Sequence, residues 1–192
     1  MKNNLKIDII MITVISFIGF CVEDIWMIFR YGILDNRNMY LPFLLGYGLL
    51  VVAIYYIFGT PRKTFNKIEI KKPFNYIVYF LICAFIVSIG ELLLGITVEK
   101  LLGYSYWDYS TIPFHITKYT SIPTSIGFGL IITLFMNFTY EPIRIKISKI
   151  VNKIPVIVII LILIVLLIDF VLSFRTMYLN NGRNIVWLIR FR

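Results

Sequence analysis

Four carboxylates stand where a bilayer disfavours them: Glu23, Asp24, Glu91 and Asp169 each interrupt an apolar run long enough to cross a membrane. A charge near hydrocarbon is costly, so such acids face a protein interior or a watery cavity and mark a cation, a proton path or a polar solute. A second cluster follows the third acid. Glu91, Gly95 and Glu99 are spaced i, i+4, i+8, and Trp107-Asp108-Tyr109-Ser110 and His115 come next. Carboxylates at this depth can bind a cationic group, relay protons or, once desolvated, protonate a lipid substrate. Hydrolytic chemistry has no recognisable constellation, because the lone histidine excludes a His-rich metal centre and Ser110 has no nucleophile-elbow context. A binding or transport role without catalysis, cofactor or metal is expected, with Asp108 and His115 as an acid and base pair in the enzymatic alternative.

The elements that position these residues are transmembrane helices. Apolar residues make up 59% of the 192, and mean hydropathy is +0.86. That is more than a soluble domain can hide, and runs of about 20 apolar residues read as spans. Five are predicted, at about 7–29, 40–58, 73–97, 122–138 and 155–174, in one all-α transmembrane domain. Basic loops at about 61–72 and 140–154 join them on one side, and a loop at about 100–121 holds Trp107 to Ser110 on the other. In the second basic loop Ile143, Ile147, Ile150, Val151 and Ile154 follow helical spacing, as in a segment lying on an anionic leaflet; a solvated basic loop is the alternative. Cys21 and Cys83 fall inside spans and serve as small packing residues.

Eleven of the nineteen Lys and Arg collect on one side, among them Lys2, Lys6, Arg62, Lys67 and Lys146. The other eight include Arg175, Arg183, Arg190 and Arg192 of the tail. Positive charge is retained in the cytoplasm, so a bacterial inner-membrane protein with its N-terminus inside and its C-terminus outside is expected. The pI of 9.6 reports this topology, and the partner it implies is the lipid bilayer, with no nucleic acid. Counting about 1.5 Å per residue from the inner helix ends places Glu23, Glu91 and Asp169 roughly 20 to 27 Å deep in a core about 30 Å thick. Three helices thus bring acid to the outer half of the bilayer. One outward-facing polar site is the economical inference, for a solute, an ion or a lipid headgroup. The structural alternative pairs these acids with Arg30, Lys100 or Arg175, which lie near the same boundary.

Glu91, Gly95 and Glu99 followed by Trp107 to Ser110, with Glu23 and the stretch Leu41-Pro42 to Gly46-Tyr47-Gly48, resemble the bacterial family of type IV ABC-transporter permeases, also called CmpB-like. The resemblance covers roughly residues 15 to 135, and Asp169 is similar to a late acidic position. A related eukaryotic transmembrane family shares the tetrapeptide. Two positions depart: His115 stands where the family has Asn, and Lys118 where it has Gly. The resemblance implies a transport component. The chain has no phosphate-binding loop of its own, so ATP hydrolysis would fall to a separate ATPase subunit docked on the basic loops. Five helices are few for a complete pathway, which implies a homodimer. An accessory or sensory membrane protein is the alternative to transport.

Overall fold

The computed structural model describes residues 3–63 and 70–191, and within them the long apolar runs are helices. Lys2, Lys67, Arg192 and the rest of 64–69 in the first basic loop lie outside the described residues. Helix α1 (Asn3–Tyr31) is followed by β1 (Ile33–Asp35), α2 (Leu45–Phe58) and α3 (Phe74–Leu102). Then come β2 (His115–Thr117), β3 (Thr120–Ser121), α4 (Ile122–Phe138), α5 (Tyr140–Ile150), a 3-10 turn (Val151–Lys153), α6 (Val156–Asn180) and β4 (Leu188–Arg190). The only strand pairs among the described residues, β1 with β4 and β2 with β3, are short antiparallel clips between helices. The protein is an all-α membrane protein.

Helices α1, α3 and α6 have 29, 29 and 25 residues and are long and apolar enough to cross a bilayer. Helix α4 has 17 residues, and α2 has 14, or about 21 Å. Two stripes on α3 show what surrounds it. Ile77, Leu81, Phe85, Ile89 and Leu93 recur every fourth residue and are exposed, whereas Tyr79, Cys83, Val87, Gly95 and Val98 are buried. The first stripe would be costly in water and suits lipid; the second faces protein. Glu91 lies midway between Val87 and Gly95 on the inward stripe. The helix ends follow local chemistry: Gly103 takes φ 78° and donates its N–H to the Glu99 carbonyl at 2.8 Å, and the Ser121 hydroxyl accepts the Thr124 amide at 3.2 Å to cap α4.

Contacts divide the chain into two units, Met1–Ala53 with Ile143–Arg192, and Ile54–Pro142. In the first, α1 and α6 run parallel. Their starts meet where Lys6 Nζ donates to the Ile154 carbonyl at 3.3 Å and Arg144 pairs with Asp8 at 2.6 Å. Their ends meet where Leu34 of β1 stands opposite Ile189 of β4. The first turns of α2 cross α1 so closely that a Cβ on Gly48 would overlap the Ile12 carbonyl. Close approach at small residues is how helices associate where lipid removes the hydrophobic drive. In the second unit α3 packs along α4, with Gly129 against Ala84 and a 2.7 Å hydrogen bond from Ser88 to Ser125. The predicted spacing in the second basic loop is realised as α5 and the 3-10 turn after it: Ile147 of α5 and Val151 of the turn are buried, and Ile150 is exposed. Cys21 and Cys83 are both free thiols, Cys83 buried.

Candidate functional site

In the second unit the i, i+4, i+8 spacing sets Glu91, Gly95 and Glu99 on one face of α3, and the loop 103–121 closes over that face. Each position does something different. Glu91 Oε1 accepts the Tyr109 hydroxyl at 3.2 Å. Gly95 leaves room for the ring of Tyr119, whose atoms would come within 2.5 Å of an added Cβ. Glu99 gathers three donors: Lys118 Nζ at 2.7 Å on one oxygen, and the hydroxyls of Tyr119 and Ser105 at 2.6 and 2.7 Å on the other. The motif Glu-x3-Gly-x3-Glu is thus a docking stripe for the loop.

The tetrapeptide braces the loop from the other side. Trp107 Nε1 donates to the Tyr119 carbonyl at 2.8 Å, and the Tyr109 amide donates to the Lys118 carbonyl at 2.8 Å. Asp108 Oδ1 accepts the Ser110 amide at 2.8 Å, a local turn that holds its carboxyl below the usual range, the Ser110 hydroxyl being the larger cause and the amide the second. Hydrogen bonding to Glu99 raises both the Lys118 ammonium and the Tyr119 phenol above their ordinary values. Asp108, Ser110 and His115 are exposed. His115 Nδ1 lies 3.1 Å from the Ile112 carbonyl, at the start of β2. Of the site residues predicted on this unit, Glu91, Glu99, Trp107 and Tyr109 are therefore brought together, and Asp108, Ser110 and His115 shape the rim.

In the first unit two acids are held by uncharged donors. The Tyr47 hydroxyl donates to Glu23, and Asp169 Oδ1 accepts the Leu41 amide at 2.9 Å while Ser173 Oγ accepts that of Tyr40 at 3.1 Å. These two amides are spent on α6, and Pro42 has none. Pro42 disfavours helical backbone at Leu41, and the Leu44 amide donates to the Ser16 carbonyl at 3.1 Å, so 40–44 is tied to α1 and α6 and α2 starts at Leu45 although the apolar run begins at 40. Asp24 lies 3.5 Å from Arg37, which also holds Asp35 at 2.6 Å. The expected structural partners Arg30, Lys100 and Arg175 form no ion pair among the described residues; Arg37 and Lys118 take that part. Long cationic side chains near helix ends reach outward, whereas these two sit on loops that fold back. Sequence reasoning missed Tyr47, Arg37, Ser105 and Tyr119. Their signal was weak: none stands in a charged motif, and only the Asp35 to Asn38 run, where Arg37 and Asn38 adopt φ 46° and 62°, marks a turn.

Among known proteins, the model of the family described as "Putative ABC-transporter type IV" matches residues 10–174. No curated protein and no solved structure matches.

Proposed function

The chain belongs to this family of putative type IV ABC transporters, and from that premise we propose that it is the membrane-spanning component of a transport system, with Glu91 as the acid of a polar site in the outer half of the bilayer. The observation that carries the reading is the position of Glu91: on the protein-facing stripe of α3, beneath a braced loop and held by a neutral hydroxyl. A carboxylate so placed suits a cationic group of a solute or headgroup, an ion or a proton in transit. Glu99 is saturated by its own loop and acts as a positioning residue. Glu23 and Asp169, also held by neutral donors, are further candidates. No catalytic step is proposed.

The reading takes five crossings, for three of which, α1, α3 and α6, the helices are long and apolar enough. Helices α1 and α6 run parallel, so an odd number of crossings separates them, and the reading assigns three to α2, α3 and α4. The basic loops and the exposed Lys146 and Lys149 of α5 suit a cytoplasmic face in a bacterial inner membrane, an ATPase subunit docked there, and assembly as a homodimer. Glu91→Gln keeps shape and removes charge. It should abolish complementation of a deletion strain while the melting temperature in detergent is retained, whereas Glu99→Gln should lower that temperature. Melting that falls with Glu91→Gln and recovers when a nearby cation is also neutralised would remove the case for a binding acid. Copurification with an ATPase separates a transporter from an accessory membrane protein.

A further inference from the structure

Four arginines of the first unit meet no acid among the described residues. Arg30 on the last turn of α1, Arg175 on α6, Arg183 beyond it and Arg190 in β4 are exposed and form no ion pair among the described residues. They belong to the end of that unit where α1 and α6 finish and β1 pairs with β4. The same end is unusually apolar. Phe29 is 84% exposed, and Trp26, Tyr178, Leu179 and every residue from Ile185 to Ile189 are exposed too. Register and strand alternation put Leu34, Trp187, Ile189 and Phe191 on one face of the ribbon.

A two-stranded ribbon is marginal in water, yet this one is riveted. Asn36 Nδ2 donates to the carbonyls of Met39 and Asn184 at 2.7 and 2.8 Å, its Oδ1 accepts the Val186 amide at 2.9 Å, and the Asn184 amide donates to Asn38 Oδ1 at 3.1 Å. The apolar face is therefore held in place at the level where two spans end. Residues 175–192 lie beyond those matched by the family model. Tryptophan beside arginine fits the boundary of hydrocarbon and headgroups, where the ring sits at the interface and the guanidinium pairs with phosphate. Charge decides the occupant: unpaired cations call for an anion.

We propose that this end is an anchoring surface for acidic phospholipid headgroups, with Trp187, Ile189 and Phe191 seated against the first carbons of the chains and Arg183 and Arg190 on phosphates. The full chain, reconstituted in vesicles with brominated phosphatidylglycerol or brominated phosphatidylcholine, tests it. The emission that disappears on Trp187→Phe should be quenched by both lipids, and more strongly by phosphatidylglycerol. Each of Arg183→Gln and Arg190→Gln should lower the relative association constant for phosphatidylglycerol by about five-fold, the value of one cation near an anionic surface. Equal quenching by the two lipids would overturn headgroup recognition. Absence of quenching, with disulfide cross-linking between copies carrying Ile189→Cys, would overturn the proposal and assign the ribbon to a second copy of the chain.

Discussion

At Gly95 a single methyl group tests how tightly the outer loop is seated. Gly95→Ala puts a Cβ 2.5 Å from the Tyr119 ring, and because the ring is clamped by Glu99 and by Trp107 on its backbone, it has little freedom to retreat. Overpacking of this kind costs about 1 to 3 kcal/mol, and the melting temperature in detergent should fall accordingly. The same loop has a defined response to pH. The Asp108 carboxyl is held below its ordinary 3.8, so its contribution is present above that value and is lost as pH falls through the folded pKa. The Lys118 ammonium is raised above its ordinary 10.5, so its contribution is complete below 10.5 and is lost as pH rises through the folded pKa. Between those limits neither of these two contributions changes with pH. Trp107 emission in a Trp26→Phe, Trp187→Phe background should change at both extremes, and Lys118→Met should reduce the alkaline change and leave the acid one.

Helices were the legible part of the chain because hydropathy alone makes them. The expected depth of the acids rests on the same ground, since residues in a span climb at a fixed rise. What the sequence did not carry is where the chain is tied to something distant before a helix begins. Tyr40 to Leu44 are as apolar as the helix that continues from them, but Asp169 and Ser173, more than 120 residues away, claim the first two amides. Partners of Glu99 were hidden likewise, because Lys118 and Tyr119 approach it only through the β2–β3 turn. Pairing of α1 with α5 is the element-scale test. Asp8 and Arg144 meet with 13% and 15% of their side chains exposed. Asp8→Asn should strand the arginine and cost about 3 kcal/mol, the low end for a broken buried pair. Asp8→Asn with Arg144→Met should recover part of that loss in the same melting experiment.

For the molecule as a whole, the distribution of Lys and Arg fixes an expected topology. In a background without Cys21 and Cys83, a cysteine at Thr111 should react with an impermeant thiol reagent in intact cells, and one at Asn152 should react only after the membrane is opened. Labelling at Asn152 but not at Thr111 would reverse the orientation. The second unit, Ile54–Pro142, is a segment inserted between the two halves of the first, and this sets a timetable for synthesis. Helix α1 enters the bilayer long before Arg144 and Ile154 exist, and at 5–20 residues per second the interval is on the order of ten seconds. Through that time Asp8 and Lys6 lack the partners that later hold them. The α3–α4 hairpin can assemble as it is made, whereas the first helix to be inserted is completed only by the last.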